Sequence, residues 1–195
     1  MRTELERAFK AFLALTALTG VAYPILVTVF AWVLFPSNAG GSLARRDGRV
    51  VASRLVGQPF HDPGHLQGRP SATPARADGA SEYVGESSSG SNLGPTNPAL
   101  TERARATIDR LRAENPEQDA PIPVDLVTAS ASGLDPDVSF ASARWQVPRI
   151  ARARGVPRER VLDVFRALVR EPPPGLPGSR TVNVVDANLA LDAMK

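Results

Sequence analysis

The chain of 195 residues contains no cysteine. Disulfide bonds, thiol nucleophiles and cysteine-ligated metals are therefore excluded. Lysine is almost as scarce, because Lys10 and Lys195 are the only lysines among the 23 basic residues. The body of the chain thus has no amine for a Schiff base or for a phosphate-binding loop.

Motifs for splitting ATP are also missing. The sequence contains neither a Walker-type glycine-rich loop nor an aspartate followed by lysine, so the chain is not the ATP-splitting component of a pump. Its 23 basic and 20 acidic residues nearly balance, which gives no indication of nucleic-acid binding. A chain of 195 residues suits one domain with an anchor and is too short for a polytopic carrier.

One long apolar run stands near the N-terminus, where residues 11–35 carry no charge. As a helix rising about 1.5 Å per residue, this run exceeds a hydrocarbon core of about 30 Å. Trp32 and Pro36 mark its end. A cleaved signal peptide is the alternative, because Ser37-Asn38-Ala39 offers a small-x-small site, but the usual apolar region of about 7–15 residues is much shorter.

The flanking charges predict the orientation of this helix. Arg2, Arg7 and Lys10 lie close to its first end, whereas Arg45 and Arg46 lie well beyond its second end. Cations favour the cytoplasmic side. The predicted organisation is therefore a cytoplasmic N-terminus at 1–10, a transmembrane helix at 11–35, a connector at 36–48 and one extracytoplasmic domain at 49–195, with a Gly/Ser/Pro-rich loop at 74–98.

Gly20 and Pro24 interrupt the apolar run. One interpretation is a kink or a close helix contact, with the hydroxyls of Thr16 and Thr19 bonding to carbonyls that the proline frees. The other is that both residues are simply tolerated facing lipid.

The soluble part reads as an α+β domain. The patterns predict an irregular stretch at 53–73, three helices and two short strands. The strands are predicted at 49–51 and 181–185. The first helix begins after the cap Asn97, and the second begins at Ser139, with a kink at Pro148, and ends at Gly155. The third begins at Pro157 and directs Val161, Leu162, Phe165 and Leu168 toward the core. Composition alone predicts a disordered linker for 74–98, while ordering of 88–98 against a partner is the competing hypothesis.

No catalytic or metal-binding constellation is evident. His61, Asp62 and His65 have the right ligand types, yet Pro63 and Gly64 prevent the helix that would align them. We expect no metal, no catalytic residue and no cofactor belonging to the chain itself.

Three aspartates invite an acid/base or cation-binding interpretation, but local structure explains them better. Asp125 precedes an apolar run, and Asp135-Pro136 resembles a turn or helix entry, with Asp137 close by. Capping or turn formation is therefore the preferred interpretation.

Stretches spread over nearly the whole chain carry a family pattern: 20–24 (GVAYP), 55–58 (LVGQ), 68–72 (GRPSA), 91–98 (SNLGPTNP), 123–135 (PVDLVTASASGLD), 145–149 (WQVPR), 182–184 (VNV) and 188–192 (NLALD). With them the chain resembles the KdpC family, the C subunit of the bacterial potassium-transporting P-type ATPase.

The resemblance implies a non-catalytic subunit of the bacterial inner membrane. Its partners are a channel-like potassium-binding subunit and a P-type ATPase subunit, which together carry out high-affinity potassium uptake. It further implies a catalytic chaperone that raises the ATP affinity of the ATPase subunit and shares its ATP, with Gln146 matching a glutamine proposed to touch the nucleotide. The family motifs also suggest partner contacts at Gly20, Tyr23, Pro24, Arg69, Asn92 and Asn97.

Two mechanisms remain open at this point. In the direct one the domain contributes to nucleotide binding, and in the indirect one the anchor and outer domain stabilise the assembly. The predicted topology favours the indirect mechanism, because ATP is cytoplasmic and a glutamine amide without cations is a poor triphosphate ligand; Gln146 would then form hydrogen bonds on a helix surface. A structural subunit that shields the outer potassium entrance and a membrane-tethered enzyme are further alternatives.

The predicted orientation is tested with a single introduced thiol, since the chain has no cysteine of its own. We expect a membrane-impermeant maleimide to label Ser87→Cys in intact cells, because this residue would lie outside. Labelling that requires permeabilisation of the inner membrane would reverse the orientation and favour the direct mechanism.

Overall fold

A computed structural model describes residues 2–75 and 82–194. The chain divides into two compact units, Met1–Val51 and Ala52–Lys195. The predicted α+β class is confirmed, because a long apolar N-terminal helix is followed by a small domain, and the strands form two two-stranded sheets.

The N-terminal helix runs without a break from Arg2 to Leu34, over 33 residues. It consists of α1 (Arg2–Leu15), a π-helical segment (Thr16–Ala22) and α2 (Tyr23–Leu34). Its most apolar window has a mean hydropathy of 2.0, and none of that window is buried. The helix is thus long and apolar enough to cross a membrane.

The π-helical segment immediately precedes Pro24. Proline has no N–H and its ring crowds the carbonyl four residues earlier, so a widened turn at this place relieves the clash. The Thr19 hydroxyl donates to the Leu15 carbonyl at 2.7 Å. The Thr19 hydroxyl therefore bonds to a carbonyl that Pro24 does not free, and the predicted bond from Thr19 to a freed carbonyl is wrong.

The stretch after this helix contains more regular structure than the predicted connector. A short helix, α3 (Pro36–Ala39), is followed by β1 (Leu43–Arg46) and β2 (Arg49–Ser53), which pair as a hairpin. The two residues between the strands, Asp47 and Gly48, have φ values of 50° and 77°. Asp-Gly is a favoured pair for such tight turns, and this signal would have revealed β1.

Among its described residues the domain contains four α-helices, one short 3₁₀ helix (Val124–Leu126) and two further strands. The helices are α4 (Pro98–Glu114), α5 (Phe140–Arg154), α6 (Arg158–Ala167) and α7 (Val184–Ala193), and the strands are β3 (Asp137–Ser139) and β4 (Thr181–Asn183). The predicted cap Asn97 is confirmed, because its side chain accepts from the Ala99 N–H, and Ser139, where the second helix was predicted to begin, caps α5 by accepting from the Ser142 N–H. The helical assignment of α5 continues through Pro148.

The last predicted strand, 181–185, is too long by two residues. The side chain of Asn183 accepts the N–H of Asp186 at 3.1 Å and so starts α7 directly after β4. The apolar residues that follow belong to a helix. Alternation of side chains along 181–185 fits both structures, and the asparagine cap decides between them.

The core lies where α6 and α7 meet α5 and the β3–β4 sheet. Val138 pairs with Val182 across this antiparallel sheet, and both side chains are buried. Val161 and Phe165 of α6 are fully buried, as their helical spacing predicted. Burying side chains of this size stabilises the fold by about 1.5–3 kcal/mol each.

The Gly/Ser/Pro-rich loop is tied to the domain by hydrogen bonds where it is described. Tyr83 N–H donates to Ser71 Oγ at 3.0 Å, and Ser89 N–H donates to the Ser132 carbonyl at 2.9 Å. A disordered linker is thus the wrong description of 82–90. Residues 76–81 of this loop lie outside the described residues.

Two glycines with nearly equal φ angles test this packing. Gly133 has φ 66° and Gly155 has φ 65°, but a Cβ on Gly133 would overlap the Ser89 carbonyl, whereas a Cβ on Gly155 has no neighbour within 4 Å. We expect Gly155→Ala to cost about 1 kcal/mol and Gly133→Ala about 2–4 kcal/mol of unfolding free energy. Urea unfolding followed by tryptophan fluorescence measures both. Equal losses would contradict the docked loop.

Candidate functional site

Residues 63–69, here called the central segment, have no helix or strand. Leu66 and Gln67 in its middle are nevertheless buried. Buried backbone N–H and C=O groups need hydrogen-bond partners, and outside a helix or sheet these must come from side chains. Polar residues of α5 and α7 supply them.

Two primary amides bind the middle of the central segment. Gln146 of α5 accepts the Gln67 N–H through Oε1 and donates to the Gln67 carbonyl through Nε2, both at 3.0 Å. Asn188 of α7 likewise accepts the Leu66 N–H through Oδ1 at 2.7 Å and donates to the Leu66 carbonyl through Nδ2 at 2.9 Å. Each amide thus makes the pair of bonds that a neighbouring strand would make.

Arg149 holds the start of the segment. Its Nη1 donates to the Pro63 carbonyl at 2.6 Å, and its Nη2 donates to the His65 carbonyl at 3.0 Å and to Gln146 Oε1 at 2.7 Å. Burial lowers the pKa of Arg149 to about 10, so the guanidinium stays charged at neutral pH. Its charge is solvated by these three oxygens.

The histidines weighed as metal ligands face different partners. His65 Nε2 lies 2.9 Å from Asp192 Oδ1, and His61 Nε2 lies 3.8 Å from Glu82. Asp62 accepts the Gly64 N–H at 2.6 Å, as in a tight turn. Within 2–75 and 82–194, no group of three His, Cys, Asp or Glu residues is placed to hold a metal.

Arg69 ends the central segment and lines an open cleft of about 760 Å³. Its guanidinium donates to Asp135 at 3.0 Å and to the Ala129 carbonyl at 3.3 Å. The Tyr83 hydroxyl donates to the Arg69 carbonyl, and burial raises the pKa of Tyr83, which keeps this donor protonated. Arg69 therefore ties three parts of the domain together.

Two further arginines and a phenylalanine also line the cleft. Arg144 and Arg180 line it, and the Arg180 guanidinium lies 5.1 Å from the centre of the Phe140 ring. This is a cation–π arrangement.

Of the three aspartates of the cleft, Asp135 forms the turn preferred from the sequence, whereas Asp125 and Asp137 accept hydrogen bonds from residues farther along the chain. Asp125 accepts the Ser139 N–H at 2.8 Å, and Asp135 accepts the Asp137 N–H at 3.0 Å. Burial opposes ionisation of Asp125, but hydrogen bonds from Ser142 and Ser139 outweigh it and lower its pKa below the ordinary value. Asp125 is thus ionised at neutral pH and a poor general acid.

The residues predicted to contact nucleotide or partners lie in separate places. Gln146 bonds to the backbone of the central segment, and Arg69 is the last residue of that segment. Asn92 is exposed on the loop, and Asn97 is exposed while capping α4. Gly20, Tyr23 and Pro24 belong to the N-terminal helix. Gln146 is fully buried, so the predicted hydrogen bonding on a helix surface is wrong.

Sequence reasoning missed the partners of Gln146. Gln67 sits in the stretch predicted to be irregular, and Arg149 stands in the family stretch 145–149 with no local sign of its burial. For the similar contact to Leu66, the amide of Asn188 among the otherwise apolar residues 187–191 was the available signal, because a buried amide implies a hydrogen-bond partner.

Comparison with known proteins gives a match over nearly the entire chain. The family model for KdpC, the c chain of the K+-transporting ATPase, matches residues 5–193. The potassium-transporting ATPase KdpC subunit of Polaromonas naphthalenivorans is 52% identical over the whole chain and 97% of that relative. The subunit of the same name from Sorangium cellulosum is 52% identical over the full length of both, and that from Methylobacterium nodulans is 53% identical over 93% of this chain and 92% of its own.

The role of Gln146 in the fold is tested by Gln146→Leu, which keeps a similar volume. We expect a loss of about 2–4 kcal/mol of unfolding free energy, because the backbone N–H and carbonyl of Gln67 would both stay buried without the Gln146 amide as a partner. Arg144→Leu, at an exposed position of the same helix, should change stability by no more than about 0.5 kcal/mol. Urea denaturation compares the two. An equally small effect of Gln146→Leu would refute the role assigned to it.

Proposed function

We propose the function of this chain from its family, because the chain belongs to the KdpC family, the c chain of the K+-transporting ATPase. It is an accessory subunit of that complex rather than the catalytic one. The observation that carries this is the match over residues 5–193, supported by relatives of about the same length at 52% identity.

The proposed location is the bacterial inner membrane, crossed once by the N-terminal helix. The length and mean hydropathy of Arg2–Leu34 support the crossing. Arg2, Arg7 and Lys10 at its first end support a cytoplasmic N-terminus and an extracytoplasmic domain. The lipid bilayer is then the first partner of the chain.

The proposed protein partners are a channel-like potassium-binding subunit and a P-type ATPase subunit. Gly20, Tyr23 and Pro24 would contact them within the membrane, where small residues allow close helix approach. Arg69, Asn92 and Asn97 are the corresponding proposals for the domain. Of these, Asn92 is the most available, because it is exposed and has a left-handed backbone with φ 51°, whereas Asn97 uses its side chain to cap α4.

The chain would act as a catalytic chaperone by raising the ATP affinity of the ATPase subunit. We favour an indirect route, in which the subunit binds the ATP-competent conformation of its partner more tightly than the other conformations. Binding of the subunit and of ATP then favour each other by linkage. The burial of Gln146 supports this route, since both ends of its amide already bond to Gln67.

A second candidate role is to shield the outer potassium entrance with residues 88–98. Its support is that Ser88 and Ser89 both bond to the Ser132 carbonyl, which holds the start of this stretch in place. A membrane-tethered enzyme has less support, because Asp125 and Asp135 accept hydrogen bonds from the backbone N–H groups of Ser139 and Asp137.

Membership of the complex is tested by purifying the chain through a tag from native membranes. A potassium-stimulated ATPase should co-purify, and complexes reconstituted without the chain should need more ATP for half-maximal activity. If no ATPase co-purifies, the proposed function fails.

Gln146→Glu then separates the two routes to higher ATP affinity. A carboxylate still accepts from the Gln67 N–H and from Arg149 but no longer donates to the Gln67 carbonyl, so the variant should fold with reduced stability and leave the ATP dependence of the complex unchanged. If Gln146 touched the triphosphate, the new charge would repel it and weaken ATP binding by about tenfold or more. A folded variant with weakened ATP binding would therefore exclude the indirect route.

A further inference from the structure

Pro24 stands where the N-terminal helix changes from π to α hydrogen bonding. Tyr23 N–H donates to the Leu18 carbonyl, five residues earlier, and α2 begins at Tyr23. In a π-helix the donor for Thr19 is the residue at position 24, and in an α-helix position 24 is the donor for Gly20. Proline has no N–H, so either pattern leaves one of these two carbonyls without its main-chain donor.

The threonines nearest to this gap do not fill it. Thr19 directs its hydroxyl to the Leu15 carbonyl at 2.7 Å. Thr16 lies one turn earlier, and side chains on a helix lean toward its N-terminus, away from residues 19 and 20. The hydroxyl of Thr28 is likewise one turn too far along, since a threonine reaches back four residues at most.

The position of this carbonyl makes the missing donor costly. Gly20 lies about 13 Å along the helix from Ala11, where the uncharged run begins, and so within a hydrocarbon core of about 30 Å. An unpaired carbonyl in that layer costs several kcal/mol, because lipid offers no donor. Gly20 also has no side chain to cover it, and apart from its chain neighbours and the helix backbone the nearest atom to a Cβ built there is Thr16 Cγ2 at 3.9 Å.

We propose that a transmembrane helix of a partner subunit donates a hydrogen bond to this freed carbonyl, at Thr19 or Gly20, from a hydroxyl or primary amide side chain. The proposal rests on the proposed function, since it requires the helix to cross the membrane beside a partner. It assigns a chemical role to the Gly20–Pro24 region. The proline creates an acceptor, and the glycine leaves it open.

The sequence allows each carbonyl to be observed separately. Thr19-Gly20 is the only Thr-Gly pair in the chain, so carbonyl ¹³C-threonine with ¹⁵N-glycine selects the Thr19 carbonyl alone. Carbonyl ¹³C-glycine with ¹⁵N-valine selects only Gly20 and Gly155, and the latter serves as an internal reference in the domain. Solid-state NMR spectra are compared for the chain alone and for the purified complex in the same lipid.

We expect the signal of Thr19 or of Gly20 to move downfield on assembly while that of Gly155 stays in place. If neither signal moves although the ATPase co-purifies, the proposal is overturned and the proposed function stands. If the downfield position is already present in the chain alone, water is the donor and the proposal is also overturned. Failure of the wild-type chain to co-purify would instead remove the premise.

Pro24→Ala provides the matching variant, because alanine restores an N–H at position 24 and pairs the carbonyl inside the helix. The shift on assembly should disappear, and association should weaken by roughly three- to tenfold, the effect of losing one hydrogen bond between helices. Val29→Ala, about half a turn away from the Gly20 face, is the control and should retain the shift. Carbonate extraction verifies that both variants remain in the membrane. A Pro24→Ala complex with an unchanged shift would overturn the proposal.

Discussion

The fold of the domain depends on the hydrogen bonds that α5 and α7 make to the central segment. A chain with two-stranded sheets and short helices has few places to satisfy a buried, irregular backbone. Gln146 and Asn188 make the hydrogen bonds that a neighbouring strand would make to Gln67 and Leu66. Arg149 donates to the carbonyls of Pro63 and His65, which precede them in the chain. Without them, Leu66 could not be buried among the core residues of both helices.

Local signals made much of this fold predictable. Asn97 and Ser139 indicate helix starts, because a capping side chain bonds to a backbone N–H within three residues. The spacing of Val161 and Phe165 identifies the buried face of α6. The same reasoning overextended the last strand, because alternation over 181–185 is ambiguous without knowing that Asn183 caps a helix. The hairpin at 43–53 was missed although Asp47-Gly48 indicates it.

The site was far less predictable, because its bonds join residues distant in the sequence. Gln146 meets Gln67 across 79 positions, and Asn188 meets Leu66 across 122. Composition misled for a related reason. The serine- and glycine-rich loop has few apolar residues, yet Tyr83 docks it against the backbone of Arg69, an arrangement that no local rule contains. The family resemblance named Gln146 as important, and the fold gives that residue a structural reason to be there.

The paired amides also affect how the domain opens. In an ordinary sheet an edge strand can detach while the rest of the fold persists, since its neighbours keep their own bonds. Here side chains from two different helices form hydrogen bonds to the adjacent residues Leu66 and Gln67. Release of this segment would leave polar groups of α5 and α7 buried and unpaired at the same time. The segment and both helices therefore form one cooperative unit, and a stretch with no regular secondary structure belongs to the slowest-opening part of the domain.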